Sequence, residues 1–167
     1  DKIVVAGYSY NGSNDDFAVV RYNTDGSLDT TFGTGGKVTT AISAGNDYVT
    51  SVVLQGDKIV VAGSSYNGSN DDFAVVRYNA DGSLDTSFSD DGIERTDITI
   101  GEDDQAYSVV LQGDKIVVAG SSDNGTDYDF AVVRYNTDGS LDTTFSGDGI
   151  LTTPIGSGDD VAFAVVL

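Results

Sequence analysis

The string DKIVVAG occurs three times, at Asp1–Gly7, Asp57–Gly63 and Asp114–Gly120, and any fold of this chain must honour that period. FAVVRYN follows at Phe17, Phe73 and Phe130, and DGSLDT at Asp25, Asp81 and Asp138. A looser segment ending Val-Val-Leu closes each copy, at Tyr48–Leu54, Ala106–Leu111 and Ala162–Leu167. The copies are offset by 56 and 57 residues, which divides a single repeat domain, 1–167, into repeats 1–56, 57–113 and 114–167. The first two differ at three of their first 32 positions, Tyr8/Ser64, Thr24/Ala80 and Thr31/Ser87, as recent duplication would leave them. A repeat of this length is one supersecondary unit that cannot bury its apolar faces alone, so the copies must stack.

Each copy reads as four short strands. Strand a, Lys2–Gly7, is a continuous apolar run that predicts burial on both faces. Strand b is Phe17–Asn23. Strand c, around Lys37–Ile42, is rich in Thr and should be the exposed outer strand. Strand d is Tyr48–Leu54, β-branched nearly throughout. Asn11-Gly12, Asn67-Gly68 and Asn124-Gly125 supply positive-φ residues to the a–b loop, and Leu54-Gln55-Gly56-Asp57-Lys58 ties d of one copy tightly to a of the next. With 21 glycines, one proline and no helical periodicity, the chain predicts an all-β fold. Four strands per unit make it a β-propeller-type repeat of four-stranded antiparallel blades, three per chain.

The run FAVVRYNTDGSLDTTFGTGGKV, followed by a d strand ending VVLQGDKIVVAG, resembles the bacterial delta-sixty repeat, a propeller-type family. The resemblance covers essentially the whole chain. It implies architecture and a secreted or cell-surface setting in bacteria, and it implies no catalytic residue set. One departure is the d–a turn: such repeats usually carry a Pro-Asp-Gly type, and here it is Gln55-Gly56-Asp57 and Gln112-Gly113-Asp114.

The sequence opens at Asp1, on strand a, without Met or a signal peptide, and reads as processed, excised or drawn from something longer. It stops at Leu167, the end of a strand d. Hairpin partners pair, so the sheets should be a1-b1-c1, d1-a2-b2-c2 and d2-a3-b3-c3, with d3 alone. That lone strand must find an a1. It could close a ring of three blades within the chain, but propellers typically have four to eight. It could instead pair with a1 of another chain, so that terminal strands complete a blade shared between chains. Such a head-to-tail contact closes into a ring or runs on as a filament.

The net charge of −19 disfavours nucleic acid and anionic lipid as partners, and no segment is apolar enough for membrane insertion. Absence of His and Cys removes the common triads, most transition-metal sites and thiol chemistry. Paired carboxylates could hydrolyse glycosides, but the acids recur in every copy as turn residues do. The most asymmetric stretch, Asp90–Glu102 with Glu94, Arg95 and Asp97, lies on outer strand c. No catalytic, cofactor-binding or metal residue is assigned, and the chain is expected not to be an enzyme.

Arg21, Arg77 and Arg134 share a face with the core and should pair with Asp29, Asp85 and Asp142; an anion-binding Arg ring in a channel is the alternative. Asn23, Asp25 and Asp29, with Asn79, Asp81, Asp85 and Asn136, Asp138, Asp142, alternate oxygen groups around a Gly turn, the spacing of either Asx turns or a Ca2+ loop. A second acidic set, Asn46-Asp47, Asp103-Asp104 and Asp159-Asp160, should cap the start of strand d. Tyr8, Tyr10, Tyr66 and Tyr128 beside Asn and Asp could form ordinary loops or sugar sites. The Asn-Gly-Ser/Thr triplets at Asn11, Asn67 and Asn124 are better explained by turns than by glycosylation. The reading is a non-catalytic structural module, extracellular or on the cell surface, that pairs with itself. The alternative is a propeller-type module binding carbohydrate or protein, with calcium as its one conceivable cofactor.

Overall fold

The computed structural model describes all 167 residues. Eleven strands, β1 (Lys2–Tyr10), β2 (Asp15–Asn23), β3 (Lys37–Thr40), β4 (Asp47–Gln55), β5 (Lys58–Tyr66), β6 (Asp71–Tyr78), β7 (Ile93–Thr96), β8 (Asp104–Gln112), β9 (Lys115–Asp123), β10 (Tyr128–Tyr135) and β11 (Ile150–Thr153), form three antiparallel sheets. Their orders are β1-β2-β3, β4-β5-β6-β7 and β8-β9-β10-β11. These are the pairings that the d–a hairpins dictate. Within one chain this makes two four-stranded blades and one three-stranded blade, β1-β2-β3, as the pairing a1-b1-c1 requires. The segment 161–167 has the sequence of a d strand but no ladder, because no strand lies beside it to pair with. No helix is long and apolar enough to cross a membrane.

The d–a turns carry Gly56 and Gly113 at φ 64°, as a type II′ hairpin needs at its first central position. Strand c proves short, four residues, and ends each sheet. Strand a is longer than its apolar run: β1 continues to Tyr10 because Ser9 and Tyr10 pair with Asp16 and Asp15.

The apolar run of strand a is buried on both faces in the second and third blades. Alternation sends Ile59 and Val61 to a core shared with Phe17, Val19 and Phe32 of the first blade. Val60 and Ala62 face a core shared with Ile116, Val118 and Tyr135 of the third. Both cores lie between blades, so each blade is stabilised mainly by its neighbours.

Candidate functional site

Adjacent blades are joined by one repeated set of contacts. Arg21, Arg77 and Arg134 send Nε to Oδ2 of Asp29, Asp85 and Asp142 at 2.8, 2.8 and 2.9 Å. Each guanidinium stacks over a Phe ring (Phe32, Phe88, Phe145) at 4.7–4.9 Å. From there the Arg21 Nη1 donates to the Ala80 carbonyl of the next blade, and the Arg77 Nη1 to Thr137 O at 2.6 Å. Gly33 and Ser89 donate their backbone N–H to Asp81 O and Asp138 O, both at 2.7 Å. The buried Tyr78 hydroxyl donates to Thr40 at 2.8 Å, and the hydroxyls of Tyr135 and Thr96 bond at the same distance. Arg21 and Arg77 therefore bolt blade to blade, and all three arginines are engaged by their aspartates rather than gathered round a channel.

This joint is half-made at each end of the stack. Tyr22, the counterpart of Tyr78 and Tyr135, makes no side-chain hydrogen bond to another blade. At the opposite end Thr153 and the Ser146 N–H, counterparts of Thr96 and Ser89, meet no further blade. The apolar surfaces show the same break. Ile3 and Val5 are 52% and 50% exposed, whereas the identical Ile59 and Val61 are 2% and 0% exposed. At the far end Phe163, Val166 and Leu167 are exposed at 71%, 87% and 69%.

The segment 161–167 nevertheless occupies the place of a d strand. The Val109 N–H donates to Ser51 Oγ at 3.1 Å across β8 and β4, and the Val165 N–H donates to Ser108 Oγ at 3.3 Å one blade on. Phe163 rests on Tyr107, ring centroids 5.1 Å apart. So the last segment packs on β8 as β8 packs on β4, with its outer edge bare. At the other terminus β1 pairs with β2 alone, leaving its opposite edge open. Opposite edges of one repeat, a d without an a and an a without a d, thus stand at the two ends of this stack of three blades.

Gly7, Gly63 and Gly120 mark how such an edge accepts its strand. At Gly63 an added Cβ would lie 1.9 Å from the Tyr48 carbonyl oxygen, and at Gly120 1.9 Å from that of Gln105. Both face a register shift in the d strand, between Val49 and Ser51 and between Ala106 and Ser108. A bulge here presses backbone onto backbone, which only glycine admits. At Gly7 an added Cβ meets nothing within 4 Å. No periodicity argument singles these glycines out; their identical place in DKIVVAG is the signal that could have.

The oxygens of the DGSLDT turn are engaged within the fold. Asp25 Oδ1 accepts from the Ser27 N–H and hydroxyl at 2.9 and 2.6 Å, an Asx turn repeated at Asp81 and Asp138. These hydrogen bonds lower the carboxyl of Asp25 below its ordinary value. Asn23 and Asp29 share the ammonium of Lys2, Nζ lying 2.5 Å from Asn23 Oδ1 and 3.1 Å from Asp29 Oδ2, and Lys58 repeats this with Asn79 and Asp85. A lysine thus stands where the spacing suggested calcium. The Thr31 hydroxyl, then Lys2 and Arg21, hold the Asp29 carboxyl well below the usual carboxylate range. Sequence reasoning missed these lysines, although the Lys of DKIVVAG recurs with the same period.

The acids of the c–d loop do not cap strand d. Asp47, Asp104 and Asp160 fold the loop itself, each Oδ2 accepting from two backbone N–H groups, such as Ile42 and Ser43 for Asp47. Asn46, Asp103 and Asp159 reach the start of a b strand in the preceding blade, at Asp15, Asp71 and Tyr128. The loop tyrosines are not gathered together. Tyr8 packs edge-on against Tyr48 with centroids 4.8 Å apart, Tyr66 lines a small recess with Asn67, and Tyr128 lines another with Tyr107, Gln105 and Asp159.

The sequence profile of the family described as "Domain of unknown function (DUF5122) beta-propeller" matches residues 1–32, 55–88 and 112–145, together more than half of the chain. The chain belongs to this family. Each matched stretch begins at or just before a strand a and ends on the Phe under the arginine, so the family's signature coincides with the blade core and its joint. The DUF5122 description states no activity. Comparison with curated proteins gives no match.

Proposed function

We propose that this DUF5122 domain is a non-catalytic structural module of a secreted or surface bacterial protein, joining copies head to tail by β-strand complementation. The carrying observation is the pair of complementary bare edges, β1 at one end and 161–167 at the other. The register of β4 on β5 dictates the new ladder: Val166 opposite Val4, Val165 opposite Val5 and Ala164 opposite Ala6 of the neighbouring copy. The blade joint would be completed in the same step. Arg134 would reach the Thr24 carbonyl, the Ser146 N–H the Asp25 carbonyl, and the Tyr22 hydroxyl Thr153, as their counterparts do between blades. Ile3 and Val5 would be covered, removing an apolar face that favours association. Each interface has the same two different surfaces, so copies add in one direction and form a ring or a filament according to the rotation per copy.

Gly7→Ala tests this directly. Within one copy the added methyl meets empty space, and replacing a strand glycine lowers the entropy lost on folding. Against an incoming d strand it meets the neighbour's backbone, as Gly63 shows. In light scattering the unaltered protein is expected to be larger than one chain at tens of micromolar and Gly7→Ala to be a single chain; diluted until the parent is also one chain, the two should melt at the same temperature. A monomeric parent, or a variant that associates equally well, would remove the proposal. The second reading, a binder of carbohydrate, draws on the Tyr128 recess with Tyr107, Gln105 and Asp159; a glycan array read with Gly7→Ala separates it from assembly.

A further inference from the structure

The joint between the second and third blades carries a charge cluster that the joint between the first and second lacks. The carboxylates of Asp72, Asp97 and Asp104 each place one oxygen within 4.8 Å of the others, with Asp72 and Asp104 buried and Asp97 exposed. Asp72 has counterparts in Asp16 and Asp129, and Asp104 in Asp47 and Asp160. Asp97 has none: the first repeat holds Ala41 there and the third Pro154.

A second feature of the same place is independent of the clustering. Asp104 is wholly buried, and its Oδ1 receives no hydrogen bond. Its Oδ2 is spent on the N–H groups of Ile98 and Thr99, which leaves Oδ1 for the cluster. In the first copy the equivalent Asp47 Oδ1 is fully served, accepting from the hydroxyls of Ser65 at 2.6 Å and Ser43 at 3.1 Å. Around Asp104 the corresponding hydroxyls, Thr99 and Ser122, bond each other at 2.8 Å, and neither makes a hydrogen bond of ordinary geometry to Oδ1. A buried carboxylate oxygen without a donor is costly, and two more carboxylates beside it raise that cost.

We infer that Asp72, Asp97 and Asp104 bind a divalent cation, calcium being the ion whose chemistry fits. All three donors are hard carboxylate oxygens, with no nitrogen or sulfur, the ligand type of calcium rather than zinc. Oxygens on opposite sides of a calcium ion lie about 5 Å apart, so one ion can touch all three groups. Asp97, exposed, forms the mouth of the site; Asp104 Oδ1 forms its floor. The ion holds the end of β7 to the starts of β6 and β8, across the joint between the second and third blades.

Thermal unfolding of the chelator-treated protein, with and without calcium chloride, tests the site against Asp97→Ala, which restores the first repeat's residue at an exposed position. A saturable rise in melting temperature is expected, with one ion per chain by titration calorimetry. The variant should fold normally and bind calcium about 10-fold more weakly or worse. No rise at millimolar calcium overturns the inference. So does an equal rise in Asp97→Ala, because an ion that merely screens the acidic surface does not need that carboxylate.

Discussion

Gly63→Ala should unfold much of the protein's stability margin, by about 3 kcal/mol, while Gly7→Ala changes it by less than about 0.5 kcal/mol. The two sites share the sequence VVAGxSYNGSNDDFAVVRYN, so neither propensity nor hydrophobic pattern distinguishes them. What differs is the strand opposite. At Gly63 an added Cβ would sit 1.9 Å from the Tyr48 carbonyl oxygen and 2.9 Å from the Val49 Cα. Those are backbone atoms held in the β4–β5 ladder, so the methyl can be admitted only by breaking the register at the bulge. At Gly7 nothing lies within 4 Å. Gly120→Ala should resemble Gly63→Ala, since its obstacle is the Gln105 carbonyl oxygen, also at 1.9 Å. Urea denaturation of the three variants checks this, and equal effects at Gly7 and Gly63 would mean that the d strand does not press on strand a as described.

These glycines also mark where sequence reasoning stops. Hydrophobic period and turn chemistry suffice for the four strands of each repeat and the d–a pairing, because both are local properties of the apolar run and the Gly56 or Gly113 turn. The solitary state of 161–167 is not local. Its Val-Val-Leu is that of β4 and β8, yet it forms no ladder, since strand structure is a relation between two segments. The Arg–Asp pairing is legible because FAVVRYN puts the arginine on the core side and the aspartate eight residues on. Its extension to Ala80 and Thr137 of the next blade is not, because spacing says nothing about which blades touch. The same limit hid the Asp72, Asp97 and Asp104 cluster. Asp97 stood out as a break in the repeat, but placing it on outer strand c concealed that the end of that strand returns to the buried start of β8.

Arg77→Ala should destabilise the protein by about 3 kcal/mol, more than the same change at either other arginine. Arg77 and Asp85 are both buried, their side chains 7% exposed each, and Arg77 closes the joint between the two complete blades. Removing it leaves the buried Asp85 carboxylate to Lys58 and Ser87 alone, frees the Thr137 carbonyl and uncovers the Phe88 ring. Arg21 and Arg134 border the incomplete ends, where water reaches the guanidinium. Arg77→Lys should recover only part of the loss, because an ammonium cannot hold Asp85, Gln55 and Thr137 at once as the planar fork does. Acid separates the charge from the packing. Desolvation alone would raise the Asp85 carboxyl, but Ser87, Arg77 and Lys58 together hold it at about 2, below its ordinary value of 3.8. A depressed carboxyl binds protons more readily when unfolded, so its contribution is complete above the ordinary value and disappears as the pH falls through about 2. Without Arg77 the folded value moves up, and the acid unfolding midpoint should move up with it. Melting curves between pH 2 and 7 would show the Arg77→Ala deficit shrinking toward the acid end; a deficit independent of pH would assign the arginine's contribution to its stacking on Phe88 instead.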